Sequence, residues 1–290
     1  AINLARQAYE SDPLVARIVE AYARMLGNGG QIPAALEVVD TYEAQGLLHP
    51  AVTSVRARLE QGRQPGQFAT SIAAGAAELF HGIGSALSRD GASDIALVFL
   101  QLGRYLDPQS EVMALTIGQL YDTADQHEYA NAVYESIPAT SPYKSEATVL
   151  MAENLDAMGD REGAIRRLGN MIAVQPDNLS AISSLGDMLR FDEQFARAIE
   201  TYTLALNLTE GDRPGDWRFY YVRGIAYERN GQWELAEADL LRSLELNPGQ
   251  PSVLNYLGYS WVDQGLNLDG GGSTTMIVRG DVANSPSDAG

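Results

Sequence analysis

The sequence predicts an all-α solenoid of stacked helix-turn-helix repeats. Three observations lead there. A small residue recurs at Gly84, Gly118, Ala152, Gly186, Gly224 and Gly258, in steps of 34, 34, 34, 38 and 34. Twelve positions after it stands an alanine: Ala96, Ala130, Ala164, Ala198 and Ala236. Twenty-four positions after it stands a proline: Pro108, Pro142, Pro176 and Pro248. Glu210 takes the proline place ahead of a loop-type insertion, Thr209 to Asp216, which accounts for the longer step. A fixed period with helical apolar spacing marks an array in which each unit buries its apolar face against the next.

Each element of the period has a physical reason. The small residue lets the first helix (A) approach the second (B). The alanine on helix B fills the crossing point. Tyr121, Tyr134, Tyr202 and Tyr227 fill the space between helices. Proline ends helix B, since it lacks an N–H and clashes with the turn before it. Asp125 and Glu193 stand where glycine would be expected to turn A into B.

Along the chain, AINLARQAYE opens in what reads as the middle of a helix, and an upstream segment is expected to have preceded it. Val15 to Leu26 and Ala34 to Gln45 form a helix pair joined at Gly27 to Gln31, with Ala35 on the inner face. His49 to Glu60 is a further helix and Gln61 to Gln67 a loop. The step from Ala23 to Gly84 is 61, so residues 1–76 are read as irregular N-terminal helical repeats and 77–269 as the regular array. About thirteen to fifteen helices are expected, from two per repeat.

Composition narrows the function. The 290 residues carry a net charge of −18 and a pI near 4.4. Nucleic acid is excluded as a partner, because the cationic surplus that displaces counterions from phosphates is missing. Anionic lipid heads would repel such a chain, and no run of 18 apolar residues is present to insert in a membrane. There is no cysteine, hence no thiolate nucleophile and no Cys-ligated metal. His49, His81 and His127 show no i, i+4 pair of a metal-binding helix. No phosphate loop, dinucleotide fingerprint or nucleophile elbow occurs. Acidic pairs such as Asp187 with Asp192 read as solvated helix faces. No catalytic residue, metal site or cofactor is expected.

The last unit breaks off. Pro251 to Gly265 reads as a helix A, but its helix B is replaced by Gly270 to Ser273, which has the composition of an engineered flexible linker. Thr274 to Gly290 follows, with an extended stretch containing Met276, Ile277, Val278, Arg279, Asp281 and Val282. This tail reads as a cloning remnant or as a fused partner peptide that occupies the array's own binding surface, since tethering raises local concentration to about millimolar. The apolar face of the last helix A, with Leu254, Tyr256, Leu257 and Trp261, is expected to be uncovered and shielded by the tail or by the tail of a second copy.

The register resembles the tetratricopeptide repeat (TPR), a 34-residue helix-turn-helix unit. The best single unit is Trp217 to Gln250, with Tyr220, Gly224, Tyr227, Ala236, Leu240 and Pro248 at the signature places. The resemblance implies a right-handed α-solenoid whose A helices line a concave, peptide-binding groove. It directs Glu78, His81, Val112, Leu115, Glu146 and Val149 into that groove in the earlier repeats. In the C-terminal half it directs Asp187, Arg190, Phe191, Arg218, Tyr221, Glu228, Arg229, Asn255, Tyr259 and Asp263 there. The mixture of arginine, aromatic and asparagine makes the C-terminal half the expected peptide site. The implied role is a non-catalytic adaptor or scaffold with a protein or peptide partner. The alternatives are a structural subunit of an envelope assembly and an accessory region of a larger enzyme. Leu254 to Asp269 is also similar to bacterial envelope repeat lipoproteins that serve carboxyl-terminal processing proteases, which implies a periplasmic or outer-membrane-anchored protein.

Overall fold

The computed structural model describes residues 2–211, 213–269, 277–278 and 281–282. Among these residues there are fifteen α-helices, one short 3-10 turn and a two-residue strand pair. The chain divides into two compact units, Ala1–Asp160 and Arg161–Gly290.

The first unit holds α1 (Ile2–Ser11), α2 (Ala16–Asn28), α3 (Ile32–Glu43), α4 (Pro50–Glu60), α5 (Ile72–Arg89), α6 (Ser93–Leu106), α7 (Glu111–Thr123), α8 (His127–Glu135) and α9 (Lys144–Ala157). The second holds α10 (Arg161–Val174), α11 (Leu179–Phe191), α12 (Phe195–Thr209), the 3-10 turn Pro214–Asp216, α13 (Trp217–Arg229), α14 (Trp233–Leu246) and α15 (Pro251–Asp269). Consecutive helices pack on each other within each unit, as a repeat array requires, except that α4 packs on α2 and α3 and not on α5.

The small residues do what their spacing implied. A Cβ on Gly118 would lie 2.2 Å from Cε1 of Tyr134, and one on Gly186 would lie 2.4 Å from Cε1 of Tyr202. At Gly84 and Gly224 the close neighbours are Leu100 and Leu240, again sixteen residues on. Ala96, Ala130, Ala164, Ala198 and Ala236 are all fully buried. Tyr134 and Tyr202 are also fully buried, each ring worth about 3 kcal/mol of apolar burial.

The A-to-B turn uses a left-handed residue in every regular repeat: Gly91 (φ 81°), Asp125 (55°), Gly159 (91°), Glu193 (58°) and Gly231 (73°). Asp125 and Glu193 adopt the conformation glycine holds elsewhere, at a cost of about 1 kcal/mol or more each. Proline follows within two residues of the end of α6, α10 and α14. Helix α8 stops earlier, at Glu135, seven residues before Pro142. Ile137 turns inward just past its end and is buried, and Pro138 removes the N–H that a longer helix would need.

Two expectations about the C-terminus are corrected. Helix α15 runs through Gly265 to Asp269 as one element. Its apolar face is not uncovered: Val253 and Leu257 are buried against Leu240 and Leu244 of α14, with Leu254, Tyr256 and Trp261 packed around them. The preceding helix B supplies the cover, and Trp261 Nε1 donates to Glu237 Oε1 across the same contact at 2.5 Å. In the tail, Ile277–Val278 pairs antiparallel with Asp281–Val282, Ile277 opposite Val282 and Val278 opposite Asp281. Met276, Arg279 and the linker Gly270 to Ser273 lie outside the described residues.

Candidate functional site

In the second unit, α11, α13 and α15 are the A helices, and the residues assigned to peptide binding sit on them. On α11, Asp187 Oδ1 accepts from Tyr202 Oη at 2.8 Å and from Arg190 Nη2 at 3.0 Å. Arg190 lies mostly inside, with its guanidinium 4.3 Å above the ring of Phe191, which is 62% exposed. On α13, Arg218 is exposed and stands over Trp217 at 5.6 Å. Tyr221 is half-buried between Trp217 and Tyr256, with ring centroids at 6.4 and 6.2 Å. Glu228 accepts from Tyr256 Oη at 2.8 Å and pairs with Arg229 at 3.5 Å. On α15, Asn255 and Asp263 are exposed and Tyr259 is 78% exposed.

The geometry sorts these residues into two groups. Asp187, Arg190, Tyr221 and Glu228 spend their polar or aromatic groups on contacts inside the unit. They hold α11 to α12 and α13 to α15. Phe191, Arg218, Arg229, Asn255, Tyr259 and Asp263 present their side chains outward from a scaffold those contacts make rigid. A peptide lying on this layer would meet aromatic faces, two guanidinium groups and a side-chain amide.

The first unit departs from the register. Val112, Leu115 and Val149, assigned to a groove, are buried. Val112 and Leu115 pack in a cluster with Ala130, Tyr134 and Met151, because an apolar residue at a groove position is drawn into the nearest available contact. His81 is buried as well, 8% exposed, and belongs to a polar cluster that the repeat pattern did not reveal. At its centre Glu20 on α2 is buried and bonded to Arg17 and to Arg24 Nε, the latter at 2.8 Å. Arg17 also bonds Glu78 on α5 and lies 4.4 Å from the ring of Phe68. Burial opposes the Arg17 charge, but Glu20 and Glu78 outweigh it and raise its pKa. His49 meets Tyr143 edge-on at 5.9 Å. Arg17 Nε, His49 Nδ1 and Tyr143 Oη are buried without a hydrogen bond. Such a cluster joins residues up to 126 positions apart, so no local spacing could announce it.

Thr116 Oγ1 donates to the Val112 carbonyl at 3.0 Å, so its oxygen accepts the Nε2–H of His81, also at 3.0 Å. Burial, then the charge of Arg17 and the neighbouring His49, push the His81 pKa down to about 4. The His49 pKa is lowered too, mainly by burial. The unfolded chain therefore binds a proton below about pH 6.5 that the folded chain refuses until about pH 4. Stability falls as pH drops through that window, by about 3 kcal/mol for His81 alone. Urea unfolding at stepped pH is expected to show this slope, and His81→Gln to flatten it. A slope unchanged in His81→Gln would place the acid sensitivity elsewhere.

A tetratricopeptide-repeat family model matches residues 217–250, the bounds the register gave to the best unit, and a second matches 181–214. These are tetratricopeptide repeats. Two curated proteins are similar to part of the chain. The general transcriptional corepressor ssn6 of Schizosaccharomyces pombe is 28% identical over 150 residues, 52% of this chain and 13% of that protein. Human tetratricopeptide repeat protein 13 is 25% identical over 147 residues, 51% of this chain and 16% of that protein. The matches thus span a small part of either relative's length. Among solved structures, the Cut9–Hcn1 hetero-tetramer of the APC/C overlaps 91% of this chain and 46% of that chain, with a TM-score of 0.52 and 12% identity. A thermophilic TPR protein of Thermus thermophilus overlaps 64% of this chain and 100% of that one, at 0.50 and 17%. MamA of Desulfovibrio magneticus RS-1 overlaps 61% and 97%, at 0.50 and 20%. These likenesses are of fold.

Phe191, one of the positions the register directs to the groove, is exposed although a phenylalanine in an array is by default packing. It is 62% exposed, with the guanidinium of Arg190 4.3 Å over its ring. Among the described residues no cluster of His, Asp or Glu is arranged to hold a metal.

Proposed function

We propose that the chain is a non-catalytic adaptor whose C-terminal TPR layer binds an extended peptide. The observation that supports it is the outward presentation of Phe191 and Tyr259, 62% and 78% exposed, on helices tied together beneath them. Large aromatic side chains held on rigid elements with few rotamers lost are the anchors of protein recognition. Arg218 and Arg229 favour peptide carbonyls or a carboxylate, and Asn255 can pair with an extended backbone.

The tail Thr274 to Gly290 is the first ligand to test. It is titrated as a synthetic peptide into the chain ending at Asp269, with tryptophan fluorescence as readout. Binding that weakens about tenfold in Phe191→Ala and in Tyr259→Ala supports the reading, since an anchor residue is worth about 1–2 kcal/mol or more. No binding at about millimolar peptide removes the tethered-ligand version. Selection from a random peptide library, with no enrichment that depends on those two residues, removes the adaptor reading itself. The proposal includes an envelope location, taken from the likeness of Leu254 to Asp269 to envelope lipoproteins. Cell fractionation of the native protein and co-purification with a carboxyl-terminal processing protease test that part.

A further inference from the structure

Helix α6 carries an apolar seam that nothing in its unit covers. Ile95, Val98, Leu102 and Tyr105 are 55%, 58%, 47% and 83% exposed. Their spacing of three, four and three keeps them on one face of the helix. No charge occurs from Ile95 to Gly103; Asp94 and Arg104 stand at the ends, and Arg104 is turned to Ser136 Oγ at 3.1 Å. Helix α12 also has a charge-free run, Thr201 to Thr209, but its exposed large apolar residues are only Leu204 and Leu208, at 36% and 39%. Helix α10 carries Arg161, Glu162, Arg166 and Arg167, and α14 carries Glu234, Glu237, Asp239, Arg242 and Glu245. In a chain of net charge −18, the four-residue stripe of α6 is therefore the broadest exposed apolar face among the B helices described.

We infer that this seam is the contact surface of a homodimer, formed by antiparallel pairing of α6 with α6 of a second copy. The spacing is its own mirror. A two-fold axis at residue 100 sets Ile95 opposite Tyr105 and Val98 opposite Leu102, so each β-branched residue meets a longer side chain. That is the self-complementarity an isologous contact requires. Leu100 itself faces inward against Gly84, leaving the axis free of obstruction. Phe99, half-buried with its ring tilted against Phe80 at 6.0 Å, borders the seam on one side. Covering these side chains on both copies removes on the order of 1,000 Å² from water, the lower end of a specific interface. A second copy is also the partner the charge pattern selects. A basic partner would seek the carboxylates, which this stripe lacks, whereas two copies of an acidic chain can approach only where charge is absent.

Sedimentation velocity of the full chain from about 1 to about 100 µM tests this, with a reversible dimer of about 10 µM dissociation constant expected. Salt screens the repulsion between two acidic copies, so the dimer tightens as salt is added, whereas an oppositely charged contact would loosen. Val98→Glu and Leu102→Lys each raise the dissociation constant about tenfold or more, with helix content unchanged. The double variant Val98→Glu/Leu102→Lys sets opposite charges across the axis and dimerises more tightly than either single variant. A double variant no tighter than the singles excludes the register. A wild-type chain that is strictly monomeric, or a Leu102→Lys chain that dimerises as the wild type does, overturns the inference and leaves the face to a different protein. So does a dimer that is lost when residues 270–290 are removed.

Discussion

Gly118→Val is expected to lower the stability of the first unit by about 3 kcal/mol or more. The added Cβ would lie 2.2, 2.6 and 2.7 Å from Cε1, Cζ and Cδ1 of Tyr134, so a ring must move. That ring has nowhere to go. It is fully buried, and its Oη donates to Asp122 Oδ2 at 2.6 Å. Asp122 Oδ1 in turn accepts from Asn154 Nδ2 at 2.7 Å, so the ring, α7 and α9 are linked through one carboxylate. Burial, then the bond and charge of Asp122, raise the Tyr134 pKa, so the phenol stays a donor throughout the accessible pH range. Gly82→Ala, in helix α5 with open space around the position, is the control, and should gain about 0.5–1 kcal/mol from reduced backbone entropy. The repeats suggest the rescue: the residue sixteen after Ala152 is Leu168. Gly118→Ala/Tyr134→Leu should therefore recover packing that Gly118→Ala alone loses. Urea unfolding followed by circular dichroism measures the four variants against the wild type, and a Gly118→Val midpoint within error of wild type would refute the close approach.

That pairing shows why so much of the fold could be read. A period of 34 puts the same steric problem at the same place in each repeat, and each place admits few residue types. Gly118 and Tyr134, or Ala198 at the crossing point, repeat because backbones can come together in only a few ways. Asp125 and Glu193 broke the glycine pattern, yet their backbones still turned left-handed, because the helices on either side determine the turn. The candidate site was less legible. The register names groove positions by number, but whether Val149 or Phe191 faces solvent depends on what the neighbouring helix offers. Val149 is 4% exposed, whereas Phe191 is 62% exposed with the guanidinium of Arg190 over its ring. The cluster around Glu20 depends on contacts such as Arg17 with Glu78, sixty-one residues apart, and periodicity carries no information about those. The α6 seam lies on a B helix, outside the helix-A positions that the register assigns to the groove.

Asp239→Leu is expected to cost the second unit about 3–5 kcal/mol, and the added change Arg223→Met to restore most of it. Arg223 on α13 meets Asp239 on α14 with two bonds, Nε to Oδ2 at 2.7 Å and Nη2 to Oδ1 at 2.8 Å. Its third nitrogen, Nη1, donates to Thr203 on α12 at 3.0 Å. The rings of Tyr220 and Tyr227 lie 5.5 and 5.6 Å from the guanidinium. The side chains are 15% and 9% exposed, so both charges have given up most of their water. Burial raises the Asp239 pKa despite the downward pull of Arg223, which means that desolvation outweighs the ion pair at the carboxylate. At the guanidinium the balance is reversed: burial opposes the charge, but Asp239 and the two tyrosines outweigh it and raise the Arg223 pKa. A buried pair of this kind is expected to add little beyond well-packed apolar side chains, while either half alone is a stranded charge. Asp239→Leu leaves the guanidinium with only Thr203 and the two aromatic faces, and that is the source of the cost. The double variant removes the stranded charge and keeps the volume near that of the original pair. Denaturant midpoints of the two single variants and the double variant decide the matter. Additive losses would mean that each partner acts alone. Recovery in the double variant would mean that the pair fixes how three helices meet without adding net stability.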